Sequence, residues 1–307
     1  MNMLQKIISE KDLDWDKHSG NTIENFSVQI SDNASNELRD NHQLITNLEE
    51  TFPILQKEIL GFKNKFLIGG IGFFVIDGKC FSDFSREETI GIYNKICKAL
   101  GTLYVQNIKN EKFVVIKDEG KSMMSGGRYH QTKEGGSFHT DSPQWNKVPD
   151  FVGLCCVNPA KKGGESKFVS AYSIHNEILK EHKHFLKILY DQFHFDKRGE
   201  YRSDESPTVF EPIFTYDNNH LKLRYLRDYI NDGHKIQNMP LSKEQNGALD
   251  CLDKIIHDEN LAVSYELKQG DMIFLNNGRV LHGRTAFEDF EDIDKKRQMI
   301  RTWIKDI

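Results

Sequence analysis

Ser137-Phe138-His139-Thr140-Asp141 sets an imidazole and a carboxylate two residues apart. In an extended segment such positions point to the same side, so His139 and Asp141 can reach one ion together. A further donor has to come from elsewhere. Asn277-Gly278-Arg279-Val280-Leu281-His282-Gly283-Arg284 supplies one, His282, far downstream. The fold must therefore lay a distant strand beside the first segment, which a β-sandwich or barrel can do. Two imidazoles and a carboxylate without thiolate suit Fe(II) and leave one face of the ion open. Zn(II), Mn(II), Co(II) and Ni(II) share that donor preference. Arg297-Gln298-Met299-Ile300-Arg301 follows, with guanidinium groups four residues apart. In a strand, Arg297 and Arg301 face the same way, and a guanidinium can grip a carboxylate through paired hydrogen bonds.

The texture around these stretches agrees. From residue 103 onward, short apolar runs alternate with turns, at 113–116, 151–157, 166–170, 209–215, 221–226, 261–267, 272–275, 279–282 and 297–304. Helical patterns interrupt them near 173–190 and 242–257, the latter opened by a capping box of Ser242 and Gln245. Upstream, Pro53 opens a helix carrying Ile54, Leu55, Ile59 and Leu60, with Gly61 as its stop signal. Gly72 to Gly78 reads as a strand closed by a turn, after the apolar Phe66-Leu67-Ile68. Ser85 and Glu88 form a second capping box, before a helix ending at Gly101. Residues 1–45 are polar and weakly periodic and read as a peripheral helix or extended arm. Many short strands with a few helices predict a mainly β fold in one domain over 1–307, its core at 65–304.

Composition narrows the function classes. The chain has 307 residues with a net charge of -5, which argues against a general nucleic-acid binder. Hydrophobic residues make up 38% and charged residues 28%, as expected of a globular chain. No apolar run approaches a membrane span, and Met1 to Asp16 has no signal-like apolar stretch. Cys80, Cys97, Cys155, Cys156 and Cys251 form no C-x-x-C pair, so a zinc ribbon lacks support and a reducing cytoplasm is the simplest home.

The H-x-[DE] triplet is weak alone: with 12 His and 46 acidic residues, chance supplies about two. The second, His194-Phe195-Asp196, sits beside Lys197, Arg198 and Glu200 and reads as a solvated stretch. Several ordered motifs together are far more specific. Gly72-Phe73-Phe74-Val75-Ile76-Asp77-Gly78, with Ala99-Leu100-Gly101 after the next helix, resembles the N-terminal signature of the taurine/α-ketoglutarate dioxygenase (TauD/TfdA) superfamily, which includes clavaminate-synthase-like members. Phe138-His139-Thr140-Asp141, Gly163-Gly164-Glu165-Ser166 and Leu281-His282-Gly283-Arg284 resemble its later motifs, and Arg297 follows at a similar spacing.

The resemblance implies a double-stranded β-helix, or jelly roll, with flanking helices. It implies Fe(II) held by His139, Asp141 and His282, with Arg297 and Ser166 on the distal carboxylate of 2-oxoglutarate. Such enzymes consume 2-oxoglutarate and O2 and release succinate and CO2. An Asp at 141, where related halogenases have a small residue, favours hydroxylation, desaturation or cyclisation. The substrate class is a small polar molecule: an amino acid, an amine or a natural-product intermediate. In sulfonate-using relatives the arginine matching Arg301 holds the substrate's acid group. Arg128 and Gln131, on the loop before the metal motif, and Trp145, just after it, are further substrate candidates; Tyr129 shares that loop. Arg224, Tyr225 and Arg227 fall in an expected strand and lid region. A butyrobetaine-hydroxylase-like enzyme, binding trimethylammonium in an aromatic cage, ranks lower, because their cysteine-rich zinc module is not found here. The second function class is a non-catalytic metal-binding jelly-roll sensor, against which the retained Asp141, both His and Arg297 argue; a zinc-dependent hydrolase that ignores 2-oxoglutarate ranks third. The expected partner is a small molecule, with neither nucleic acid nor membrane; relatives often form dimers or tetramers, which leaves a homo-oligomer open.

Overall fold

The computed structural model describes residues 2–19, 26–107, 109–122 and 131–307. Two sheets face each other. The major one has seven strands: Ser27–Val28, Phe73–Ile76, Met272–Asn276, Phe151–Asn158, Gln298–Lys305 and Thr102–Tyr104 in spatial order, with Phe113–Ile116 also paired to Gln298–Lys305. The minor one has four: Val263–Tyr265, Ser166–Ser170, Val280–Arg284 and Gly136–His139. Apart from the parallel Ser27–Val28 pair, neighbours in both sheets run antiparallel. Helices cover the outer faces, giving the expected mainly β jelly roll.

Alternation along the strands sorts side chains into layers. Phe73, Val75, Val152, Ile273, Leu275, Met299 and Trp303 meet Phe168, Val263 and Val280 between the sheets. Phe74, Ile76, Phe151, Met272, Phe274, Ile300 and Ile304 point the other way, into helices Asp32–Asp40, Pro53–Phe62 and Arg86–Leu100. On the far side, Phe138, Val169 and Leu281 lie under helices Ala171–Glu181, Lys183–Tyr190 and Lys243–Ile256. A strand covered on both faces reads as a continuous apolar run, which accounts for Phe73-Phe74-Val75-Ile76. Each fully buried Phe adds roughly 1.5–3 kcal/mol of transfer free energy.

Both capping boxes form, Ser85 with Glu88 and Ser242 with Gln245. Other local expectations are revised. Gly61 does not stop its helix, which runs to Phe62 and on through a wider turn, Lys63–Ile68. Gly61 faces open space; the chain instead turns at Gly70, where a Cβ would lie 2.4 Å from the Lys65 carbonyl oxygen. The helical stretch near 173–190 is two helices, broken at His182. The run 221–226 stops being a strand at Leu223, and an unforeseen helix covers Arg227–Ile236. His194-Phe195-Asp196 is not a solvated stretch. It lies in strand Gln192–Asp196, paired with Thr208–Pro212, with Phe193 and Phe195 buried. Charged neighbours mislead there because the hairpin buries Asp196 and Lys197 along with the two phenylalanines. The N-terminal segment carries a helix, Asp32–Asp40, and is anchored to the core. Leu4, Ile8 and Trp15 are buried, Trp15 Nε1 donates to the Ile71 carbonyl at 3.0 Å, and Ser27–Val28 extends the major sheet. Among the described residues no helix is long and apolar enough to cross a membrane.

His175, fully buried on helix Ala171–Glu181, touches Tyr190 Oη through Nε2 at 3.1 Å. Burial pulls its pKa down to about 4. The unfolded chain takes up this proton near pH 6.5 and the folded chain does not, so stability is intact above 6.5 and falls as pH drops toward 4. The loss from this group should be on the order of 3 kcal/mol. Urea titrations across that window should show a shallower decline for His175→Gln than for the parent.

Candidate metal centre

Strand register builds the centre. His282 lies directly opposite His139 across the Val280–Arg284 and Gly136–His139 pair, with ring centroids 4.5 Å apart. Asp141 sits just past the strand end, before Ser142, whose φ of 57° turns the chain. Asp141 Oδ1 lies 3.6 Å from His139 Nε2 and 3.7 Å from His282 Nε2. One donor atom from each residue falls within 4.8 Å of the others. The triad that the sequence placed on two distant segments is thus brought to one point.

The surroundings fix Asp141 from several sides. The Asn277 side chain clamps its backbone: Asp141 N donates to Asn277 Oδ1 at 2.7 Å, and Asn277 Nδ2 donates to the Asp141 carbonyl at 2.9 Å. Trp303 Nε1 donates to Asp141 Oδ2 at 2.6 Å, and Arg301 Nη1 to Oδ1 at 3.4 Å. Arg301 is itself tied, its Nε donating to Gln106 Oε1 at 2.8 Å while Gln106 Nε2 returns to the Arg301 carbonyl at 2.9 Å. Burial works against a charged Asp141, but Arg301 and the two imidazoles outweigh it and hold the carboxyl well below its ordinary range. Burial, then the neighbouring His139, lowers His282 despite Asp141. An ionised carboxylate beside an imidazole biased to its neutral form is the state that binds a divalent cation. Nitrogen and oxygen donors on one side of an open pocket fit Fe(II).

The pocket extends from the triad to Arg297, Ser166, Arg284 and Arg301. Arg297 is 5% exposed; its Nε, like Gln144 Oε1 and Ser142 Oγ, is buried with no hydrogen-bond partner among the described residues. Burial brings its pKa to about 10, which leaves it charged at neutral pH. Its guanidinium and that of Arg284 lie over the Phe287 ring, 5.1 Å and 4.6 Å from the centroid. Gly164, at φ 77°, explains part of the Gly163-Gly164-Glu165-Ser166 motif: a Cβ there would sit 3.3 Å from Arg297 Nε.

The remaining candidates separate. Arg301 lines the pocket; Trp145 and Gln131 are not in its lining. Trp145 packs edge-on to Trp303 at 5.3 Å and donates from Nε1 to Glu200. Gln131 Nε2 donates to Glu119 Oε2 at 3.0 Å. Arg128 lies outside the described residues. Arg224 donates to the Pro143 and Trp145 carbonyls, Tyr225 to Asp253, and Arg227 to Asp250 and Asp253. The Arg224 contacts brace the loop beside the metal motif, and the other two tie this segment to helix Lys243–Ile256. Sequence reasoning missed Trp303, Asn277, Gln106 and Gln144. The two-residue alternation that aligns Arg297 with Arg301 extends to Trp303 and was the available signal; for the others, nothing local marks the role.

Asn277→Ala should leave the Asp141 amide without its buried acceptor and lower stability by about 1–3 kcal/mol. Urea unfolding should show it as a lowered midpoint with an unchanged slope.

Comparison with known proteins shows the family. The model of the taurine catabolism dioxygenase TauD, TfdA family matches residues 67–303. FR-33289 synthase of Streptomyces rubellomurinus is 31% identical over 240 residues, covering 76% of this chain and 69% of that protein. Human gamma-butyrobetaine dioxygenase is 26% identical over 164 residues, covering 52% of this chain and 42% of that protein. Among solved structures, asparagine oxygenase in complex with Fe(II), 2S,3S-3-hydroxyasparagine and succinate has a similar fold, with a TM-score of 0.70 at 15% identity over 91% of this chain and 93% of that one. The match from residue 67 to 303 takes in the His139, Asp141 and His282 segments and Arg297, and the chain belongs to the TauD/TfdA family of dioxygenases.

Proposed function

We propose that the protein is an Fe(II)- and 2-oxoglutarate-dependent oxygenase that hydroxylates an unactivated C–H bond of a small polar substrate. An amino acid or a natural-product intermediate is the favoured class. The observation that carries this reading is one pocket holding both the three converging donors and a buried, incompletely bonded arginine, Arg297. Family membership and the likeness to FR-33289 synthase support it. His139, Asp141 and His282 would hold the iron. Bound with 2-oxoglutarate and O2, iron supplies the oxidising power for attack on C–H, with release of succinate and CO2.

The chain's own residues do the rest. Arg297 pairs with the distal carboxylate of 2-oxoglutarate, and Ser166, also in the lining, adds a hydroxyl. A dicarboxylate repairs the missing hydrogen bond of Arg297 Nε, which a buried donor normally has. Leu154, Phe168 and Met299 line the pocket and exclude water around the reacting centre. Arg301 faces the same space and keeps Nη2 unbonded among the described residues, which suits a substrate carboxylate or other anion. Gln144 Oε1 and Ser142 Oγ offer polar contacts beside it. The partial match to gamma-butyrobetaine dioxygenase raises a trimethylammonium substrate as a second reading. Arg284, Arg297 and Arg301 outnumber Asp141 and Glu200 in the lining and favour the anion. We read residues 1–307 as one oxygenase domain and place it in the cytoplasm, in keeping with five unpaired cysteines.

Anaerobically iron-loaded protein exposed to air with a panel of amino acids and amines should release succinate, stimulated by one compound. His139→Ala should release none. Arg297→Ala should raise the KM for 2-oxoglutarate on the order of 100-fold. Protein that fails to bind 2-oxoglutarate would overturn the reading. Arg301→Ala should raise the substrate KM far more than that for 2-oxoglutarate, and equal effects would sink the anion role.

A further inference from the structure

Asp141 has two oxygens in different surroundings. Oδ1 faces both imidazoles and Arg301; Oδ2 takes the Trp303 indole N–H at 2.6 Å. Asp141 and Trp303 are both buried, 3% and 4% exposed, so water does not compete for that hydrogen bond. The indole is itself held. Trp145 meets it edge-on, with centroids 5.3 Å apart, and Arg301 lies over it, 4.7 Å from the centroid. The strand contributes as well: Trp303 pairs with Val152 on one side and Tyr104 on the other, so its backbone is held in the major sheet from both sides. Trp303 is therefore a rigid donor aimed at one carboxylate oxygen.

We infer that Trp303 is a positioning residue that makes Asp141 a one-oxygen metal ligand. By occupying Oδ2 it presents Oδ1 alone to the ion, so two donor imidazoles and one oxygen leave the opposite positions for co-substrate and oxygen. This rests on the metal-binding reading of the triad. Partners of ligating carboxylates characteristically tune affinity by 10–100-fold. Without the indole N–H the carboxylate is free to rotate, so Oδ1 is no longer held toward the ion and Oδ2 can compete for it.

Co(II) is the probe, because it reports coordination number in its visible d–d bands and needs no turnover. Trp303→Phe should weaken Co(II) by roughly 10- to 100-fold, and the bound metal should show an altered d–d band. Phe also removes volume. A second variant therefore replaces Trp303 with β-(3-benzothienyl)alanine, which keeps the bicyclic shape and lacks the N–H. It should behave as the Phe variant does. Parental affinity and an unaltered band in the benzothienyl protein would overturn the role of the hydrogen bond, even if Trp303→Phe misfolds. A parent protein that binds no Co(II) at the triad would overturn the metal reading itself, and this inference with it.

Discussion

The centre depends on one cross-strand register: His282 opposite His139 in the minor sheet. A slip of one residue would turn His282 to the far face of the sheet, where Leu281 now packs among the helices. The register is specified by burial. Val280 belongs to the layer between the sheets and Leu281 to the layer outside, so each slipped alternative exposes apolar surface on one face or buries an imidazole on the other. Metal chemistry and core packing therefore impose the same constraint on this strand.

Asp141 is a different case, since it lies beyond the strand and no ladder holds it. Its position comes from Asn277, which uses both ends of its amide on the Asp141 backbone and also donates to the Pro149 carbonyl. Asn277 in turn sits at the end of the segment that carries His282. Arg279, two residues on, donates to the Leu67, Ile68 and Gly70 carbonyls, closing the turn that leads into the Phe73–Ile76 strand. One short segment thus supplies a metal donor, a clamp for the second donor and a tie to the major sheet.

Charge is concentrated inside the molecule at a cost that the surroundings offset. Arg297 is buried and Arg284 half-buried close to it, and loss of solvent lowers both to about 10. Stacking on Phe287 and the Thr132 and Glu134 carbonyls satisfy much of Arg284, whereas Arg297 keeps a donor unpaired. A charge of this kind is stabilised when an anion arrives, which is the physical basis for reading Arg297 as a co-substrate anchor.

Donor types, their order and the strand texture could be read from the order of residues alone. His139, Asp141 and His282 were legible because metal chemistry restricts donors to a few residue types. The capping boxes at Ser85 and Ser242 were legible because a cap is a local contact spanning three residues. Helix Arg227–Ile236 was not, and neither was the burial of His194-Phe195-Asp196, because a hairpin partner decides which of its residues meet water. Tertiary structure alone decided that Gln106 holds Arg301, that Asn277 clamps Asp141, and that Trp145 stands behind Trp303 rather than in the pocket lining. Each of these contacts joins residues remote in the chain, and no periodicity or spacing records which amide or indole will meet which backbone once the two sheets close.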